Sequence, residues 1–317
     1  MPTPTLSPTP FAPTLLWNAR LLMIERATED AQACANWYAQ LLGDPITQLA
    51  REVWQVRGPD RWMLFRTGAK KTVPMIAFAF PTREQWGAYR AHLKFIELAL
   101  HPVSPELQAL LGEATFAVRD PDNRTLLFSV AAPHDTPANV LGGEVSAFPD
   151  DDSVSIPEIS TATQARPARM QHFVCASMQT HAMLEFYRDV LGFMESDRVV
   201  DTDGDLSSAF VRSDAEHHSF AVFRAQHTGP DHHAYELPNW NAIRDWADHC
   251  GDLEIPLWWG PGRHGVGNNL FFMIEDPDGS KVEFSAELER MTPDQAYREW
   301  PHGPRALNLW GNAWMRS

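Results

Sequence analysis

Three residues of types that commonly bind divalent metals occupy matching places in three separate predicted strands. They are His172 in Met-Gln-His-Phe-Val, His232 in His-His-Ala-Tyr-Glu, and Glu283 at the end of Gly-Ser-Lys-Val-Glu. Two imidazoles and one carboxylate cover one face of an octahedral metal ion and leave the other face open. This donor set is typical of non-haem Fe(II) that binds a substrate and O2 together, and Mn(II) would fit nearly as well. A lone histidine in a strand is more often an ordinary structural residue, so the metal hypothesis depends on the three occurring together.

An internal repeat strengthens this hypothesis. The segment Phe116–Phe128 aligns with Phe272–Phe284, and both contain an Asp-Pro-Asp turn between two short strands. The matched segments place each candidate ligand opposite an apolar residue of the other copy: His172 opposite Met23, His232 opposite Met75, and Glu283 opposite Leu127. The pattern therefore favours a metal site in the second copy and none in the first.

The same repeat predicts the elements that position these residues. Trp37–Gly43 aligns with Phe186–Gly192, and each is typical of a helix closed by a glycine. Met75–Pro81 aligns with His232–Pro238, and each predicts a strand that runs into the start of a helix. Both copies thus have the order strand, helix, several strands, a strand leading into a second helix, and a closing hairpin. This order predicts an α+β protein of two modules.

The composition of the chain marks the expected boundaries of these modules. A Pro-rich tail is expected at 1–14, followed by an N-terminal module without a metal site at 15–131. A linker rich in Pro, Asp, Ser and Thr is expected at 132–168, and the metal-binding catalytic module at 169–288. The C-terminal tail, 289–317, contains tryptophans whose indoles we expect to pack on a neighbouring surface.

Charge and cysteine content exclude several classes of partner. The 317 residues include 26 basic and 41 acidic side chains, so the formal net charge of −15 disfavours nucleic acid and anionic membranes. Three widely spaced cysteines without a Cys-x-x-Cys pair indicate neither a disulfide framework nor a thiolate zinc site. The chain shows no apolar run of membrane-spanning length and no signal peptide. These features together predict a cytoplasmic protein.

The most specific stretch of the chain is Trp259-Gly-Pro-Gly-Arg-His-Gly, followed by Asp276-Pro-Asp-Gly and Glu283. It resembles the type I extradiol ring-cleaving dioxygenases of the vicinal oxygen chelate superfamily, and the resemblance covers both modules. It implies tandem βαβββ modules, with Fe(II) held by His172, His232 and Glu283 in the C-terminal pair. It also implies ring cleavage of a catechol with O2, by a homo-oligomer.

The resemblance extends to residues around the metal. His218, fourteen residues before the second ligand, matches the family's acid/base histidine and would take a catechol proton and later return it. Its neighbour His217 is expected to point to the opposite strand face and to be structural. His264 matches a family histidine beside the metal. Met273 stands where many members have a tyrosine, and a thioether cannot donate a hydrogen bond to the substrate oxygen. Tyr235 is one candidate to supply the missing hydroxyl.

The sequence is compatible with more than one substrate and reaction class. Trp259 stands where members that cleave catechols with a carboxylate side chain often have a basic residue, which implies a neutral, hydrophobic-substituted catechol here. One alternative is an oxygen-independent, glyoxalase-like isomerase or lyase, although such enzymes usually need more metal ligands. Another is a protein that only binds an aromatic compound, which the absence of a donor at Met273 would suit.

Overall fold

The computed structural model describes residues 14–130, 167 and 169–311. The predicted Pro-rich tail, apart from residue 14, and nearly all of the predicted linker lie outside the described residues. Two open mixed β-sheets dominate the described chain, with helices packed against them, so the predicted α+β class with tandem modules is confirmed.

The first module forms a seven-stranded sheet in the order β2-β3-β4-β1-β5-β7-β6. Its strands are β1 (Arg20–Thr28), β2 (Ile46–Ala50), β3 (Val53–Gly58), β4 (Arg61–Thr67), β5 (Thr72–Phe80), β6 (Phe116–Arg119) and β7 (Thr125–Val130). Its helices are α1 (Ala31–Leu42), α2 (Arg83–Phe95) and α3 (Pro105–Leu111). The pairs β1/β4 and β5/β7 are parallel, and the other neighbours are antiparallel.

The second module repeats this order and adds a strand at each edge. Its strands are β8 (Met170–Ser177), β9 (Met194–Val200), β10 (Leu206–Arg212), β11 (Phe220–Arg224), β12 (Gly229–Leu237), β13 (Leu257–Arg263), β14 (Leu270–Glu275), β15 (Lys281–Ala286) and β16 (Arg298–Pro301). Its helices are α4 (Thr180–Glu185), extended by a π-helical turn at Phe186–Val190, α5 (Trp240–Asp252) and α6 (Pro304–Leu307). The order is β13-β14-β15-β12-β8-β11-β10-β9-β16, so β8, β12 and β15 correspond to β1, β5 and β7.

Local chemistry accounts for the helix ends. The side chain of Asp30 accepts a hydrogen bond from the backbone of Ala33 and caps the start of α1. The predicted terminal glycines, Gly43 and Gly192, have φ of 64° and 82°, a region that residues with a side chain rarely adopt. Among the described residues, the helices lack the length and apolar character that crossing a bilayer requires.

One hydrophobic core joins the two modules. It includes buried residues from both sheets and from α1, α2, α4 and α5. The rings of Phe78 and Phe193 meet across the boundary, with centroids 5.3 Å apart. The two Asp-Pro-Asp turns also exchange partners: Tyr38 donates to Asp276 over 3.0 Å, and Tyr187 donates to Asp120 over 3.2 Å. Each module therefore satisfies a buried carboxylate of the other.

The segment that follows residue 288 continues the second module through residue 311. Strand β16 pairs in parallel with β9, and the indole of Trp300 donates to Asp197 over 2.9 Å. The ring of Trp310 lies edge-on to Trp240, with centroids 5.6 Å apart. Helix α6 then packs against the loop at Gly265 and Val266, whose backbone N–H groups both donate to Ala306. The C-terminal segment thus becomes a wall of the cavity described next.

Candidate metal centre

The register of three neighbouring strands brings the predicted ligands together. His172 on β8 pairs with Ala234 on β12, and Ala234 pairs with Glu283 on β15. Residues paired across a sheet point to the same face, so both flanking side chains project on the same side as the Ala234 methyl. His232 lies two residues before Ala234 and shares that face. The small side chain of Ala234 leaves space between the larger ones.

The donor atoms of this group converge. One atom from each of His172, His232 and Glu283 lies within 4.8 Å of the other two. Oε2 of Glu283 lies 3.2 Å from Nε2 of His232 and 3.8 Å from Nε2 of His172. The three residues are only 1%, 7% and 1% exposed, respectively. This buried set of two imidazoles and one carboxylate can hold a divalent metal ion.

The hydrogen bonds around the group fit a bound cation. Oε1 of Glu283 accepts a hydrogen bond from Asn269 over 3.1 Å, whereas the buried Oε2 accepts none. A buried carboxylate oxygen without a donor is costly unless a cation satisfies it. Nδ1 of His232 lies 2.6 Å from Asp231, which orients the ring and leaves Nε2 for the metal.

Electrostatics keep the carboxylate of Glu283 charged. Burial opposes its ionisation, but contacts with His172, His232 and His264 outweigh burial and hold the pKa of Glu283 well below its usual range. Burial also lowers the pKa of His172, which favours the neutral imidazole that metals bind. For His232, burial again acts to lower the pKa, but Asp231 and Glu283 raise it above the ordinary value. Metal binding at His232 therefore competes with a proton.

A cavity opens above these three residues. Four further residues predicted from the sequence line it: His218, His264, Trp259 and Met273. Its remaining walls are mostly apolar, formed by Val174, Phe210, Phe223, Val266, Ala306 and Leu307, with Asn269 beside Glu283. Seven of the eight residues singled out from the sequence thus surround one cavity.

Two histidines flank the ligands from different sides. The ring of His218 lies 4.2 Å from that of His172, and burial, reinforced by His172 and His217, holds the pKa of His218 well below its usual range. His264 stacks on Phe271, with ring centroids 3.8 Å apart, and its Nδ1 donates to the carbonyl of Leu307. Nε2 of His264 lies 3.8 Å from Oε1 of Glu283. Both imidazoles can therefore exchange hydrogen bonds with a molecule bound in the cavity.

Tyr235 corrects one sequence-based expectation. Its side chain is fully buried in the core, where its ring contacts His233 and Phe284 with centroids 5.4 and 5.9 Å away. Side chains alternate along β12, so Tyr235 points away from the face that Ala234 and His232 share. Its hydroxyl cannot replace the donor that is missing at Met273.

His217 departs from expectation as well. It lies with His218 in the loop that precedes β11, and its Nδ1 is 3.0 Å from Nδ1 of His218. Neighbouring side chains face opposite ways in a strand, but these two residues lie outside one, so both can turn towards each other. The contribution of Ala306 and Leu307 to the cavity was also missed, since a four-residue helix after an irregular loop has no periodic signal.

Comparison with known proteins supports a family assignment. The family model for the Glyoxalase/Bleomycin resistance protein/Dioxygenase superfamily matches residues 169–284, which is most of the second module. The chain is 31% identical over 156 residues to metapyrocatechase 2 of Cupriavidus necator, a match that covers 48% of this chain and 47% of that protein. It is 30% identical over 145 residues to biphenyl-2,3-diol 1,2-dioxygenase 3 of Rhodococcus globerulus, covering 43% of this chain and 70% of that protein. The chain thus spans about half the length of metapyrocatechase 2.

Solved structures extend the similarity to both modules. Homoprotocatechuate 2,3-dioxygenase from Arthrobacter globiformis superposes with a TM-score of 0.71 at 21% identity, over 97% of this chain and 92% of that one. The Mn(II)-bound glyoxalase from Novosphingobium aromaticivorans gives a TM-score of 0.70 at 21% identity, over 93% and 92% of the two chains. At this identity the structures establish the fold alone. The relative from Rhodococcus globerulus, 30% identical and covered over 70% of its length, shows that the chain belongs to the extradiol dioxygenase family of the Glyoxalase/Bleomycin resistance protein/Dioxygenase superfamily.

Proposed function

We propose that the protein cleaves the ring of a catechol by the extradiol route, with O2 as cosubstrate, at an Fe(II) centre held by His172, His232 and Glu283. The observation that carries the proposal is the buried convergence of these three donors on the floor of a cavity. All three come from one side, so the opposite side of a bound ion would face the cavity. The names of the sequence relatives support the same reaction class.

A bound Fe(II) would supply a place where a catechol and O2 bind side by side and exchange electrons. The chain's own part is to bind, orient and move protons. His218 is held neutral by burial, so a ring nitrogen can accept a proton from a catechol hydroxyl and later return it. His264, fixed by its hydrogen bond to Leu307, offers a second polar contact in the cavity. Met273 offers none, which leaves the histidines to hold the substrate oxygens.

The cavity walls favour a neutral, hydrophobic-substituted catechol. Among the described residues, its lining includes neither Lys nor Arg, so a substrate carboxylate would lose its hydration without gaining a cationic partner. The rings of Phe210, Phe223 and Trp259 offer apolar area and edge contacts to an alkyl or aryl substituent. A relative whose name specifies a biphenyl diol agrees with this substrate class.

An oxygen-independent, glyoxalase-like isomerase is the second candidate, because the fold matches a Mn(II)-bound glyoxalase as well as it matches a dioxygenase. The donor set gives less support to this candidate. The first module offers apolar side chains at the equivalent positions, so it would add no further ligand. The identity of the metal, Fe(II) or Mn(II), is decided by the same experiment as the reaction.

The test is to load the protein anaerobically with Fe(II) or Mn(II) and to record O2 uptake and product absorbance with a panel of catechols. The panel includes 3-alkyl and 3-aryl catechols and one with a carboxylate side chain. We expect O2 uptake equimolar with the catechol consumed, fastest with Fe(II) and with the hydrophobic catechols. Glu283→Gln is the matched inactive control. Catechol binding without O2 uptake would overturn the proposal in favour of simple sequestration, and turnover of a 2-oxoaldehyde–thiol adduct without O2 would favour the isomerase.

A further inference from the structure

A chain of three buried side chains leads from the cavity to the C-terminal strand β16. It consists of His218 at the cavity, His217 behind it, and Asp197 on β9. We propose that Asp197 and His217 are positioning residues that fix the ring orientation and tautomer of His218, so that His218 presents the lone pair of Nε2 to the substrate. This inference rests on the proposed dioxygenase function, in which His218 moves the substrate proton.

The contacts form a continuous path. Nδ1 of His217 lies 3.0 Å from Nδ1 of His218. On the far side of the ring, Nε2 of His217 lies 3.0 Å from Oδ2 of Asp197, an ion-pair distance, although the angle at Nε2 falls outside that of a hydrogen bond. His217 and Asp197 are both 0% exposed. Water therefore does not compete for these nitrogen atoms, and the protein itself determines which of them carry hydrogen.

The carboxylate at the end of the path is held in place and charged. Arg298 contacts both oxygens of Asp197, over 2.8 Å and 3.2 Å, and the indole of Trp300 donates to Oδ2 over 2.9 Å. Burial acts to raise the pKa of Asp197, but His217 and Arg298 lower it below its usual value. Asp197 is thus an acceptor only, and whatever faces it must donate.

The tautomers follow from this fixed acceptor. Because the oxygen 3.0 Å from Nε2 of His217 belongs to a carboxylate, which can only accept, we place the hydrogen of His217 on Nε2. With hydrogen on Nε2 alone, Nδ1 of His217 is a lone pair, and the Nδ1 of His218 opposite it must be the donor. A neutral His218 with hydrogen on Nδ1 has its lone pair on Nε2, the nitrogen left for the cavity that His218 lines. The buried path therefore delivers His218 in the form that accepts a substrate proton.

Kinetics of matched variants test the proposal. His217→Phe keeps the ring volume and removes both contacts, so we expect kcat to fall roughly 10- to 100-fold, the range typical of lost orienting partners around a metal site, with KM and iron content near those of the wild type. His217→Asn keeps an acceptor near the position of Nδ1 and should restore most of kcat. Trp300→Phe removes one hydrogen bond from Asp197 without touching either histidine, so it reports the cost of disturbing β16 and should leave kcat within about threefold.

A second measurement does not need activity. In metal-free protein labelled with ¹⁵N-histidine, the signals lost in His218→Phe identify His218, and their chemical shifts show which nitrogen carries hydrogen. We expect Nδ1–H for His218 and Nε2–H for His217. Hydrogen on Nε2 of His218, or an unchanged kcat in a well-folded His217→Phe enzyme, would overturn the proposal. If His217→Phe does not fold, the tautomer in the wild type decides. An absence of O2 uptake by the wild type with every catechol would instead refute the dioxygenase function and leave the tautomer measurable.

Discussion

The two modules share the same strand pairing but carry different side chains at equivalent positions, polar in the second module and apolar in the first. In the second module, His172, Ala234 and Glu283 occupy one row across three strands. In the first module, Met23 pairs with Ala77, and Ala77 pairs with Leu127, in the corresponding row. The central alanine is present in both rows, and only the flanking side chains differ. The two rows therefore differ in their flanking side chains and not in their strand pairing.

The modules also differ in what covers that row. In the first module, Leu107, Leu110 and Leu111 of α3 pack with Leu22 and its neighbours into a filled apolar cluster. The second module has an edge strand, β13, between α5 and β14, and its row opens into the cavity, which Ala306 and Leu307 close from the C-terminal segment. In the first module, the space above the row is thus filled by the module's own helix α3. In the second module, it stays open as a cavity, and residues that follow the repeat form one of its walls.

The largest effect is expected from removing a ligand. His232→Ala or Glu283→Gln should abolish metal retention and activity, because only two donors remain and the buried site loses the geometry that selects the ion. The matched control is Met75→Ala, the same kind of truncation at the position equivalent to His232, which should keep the metal. Metal content per chain after dialysis and O2 uptake are the measurements. Full metal retention by Glu283→Gln would contradict the ligand set.

The next largest effect is expected from removing the proposed proton carrier, His218, while keeping the metal ligands. His218→Phe should keep iron but reduce kcat roughly 100- to 10,000-fold, the usual range for a lost general acid/base. Initial rates of O2 uptake at saturating catechol, normalised to iron content, measure this. Iron loss as complete as in Glu283→Gln would show that His218 is a ligand and not a proton carrier.

Placing the ligands in the first module should fail to create a second site. Leu127→Glu puts an unpaired carboxylate into the filled apolar cluster, which we expect to lower the free energy of unfolding by about 3–5 kcal/mol. Adding Met23→His and Met75→His to this variant should still leave one metal per chain, because an apolar cluster is packed over the row. Denaturant unfolding and metal stoichiometry test this expectation. Two metals per chain would show that the side chains alone suffice.

The smallest effects concern the tyrosines that the modules exchange. Burial raises the pKa of Tyr38 and of Tyr187 well above the ordinary value, so both hydroxyls remain donors. Tyr38→Phe and Tyr187→Phe should each lower the free energy of unfolding by about 1.5–3 kcal/mol and leave kcat unchanged, since hydrogen bonds to charged acceptors are in this range. Thermal and denaturant unfolding of the pair measures the effect. A loss confined to one variant would show that the exchange is not reciprocal.

Much of the site was predictable because the two copies of the repeat align residue by residue, which shows which positions are equivalent. The Asp-Pro-Asp turns align without gaps, so Glu283 and Leu127 could be equated before their strands were known to pair alike. The error at Tyr235 was avoidable, because an odd offset from His232 along a strand already places it on the other face. The Asp197–His217 contact was not predictable, since it joins a strand to a loop whose path no periodicity describes.

The reciprocal contacts of the Asp-Pro-Asp turns give the first module a structural role in the second. The carboxylate of Asp276 accepts hydrogen bonds from Arg26 and Tyr38, both supplied by the first module. A shortened protein that kept only the second module would lose these two partners of the buried carboxylate and would expose apolar core residues to water. Under the proposed function, selection on the second module would therefore also maintain the first.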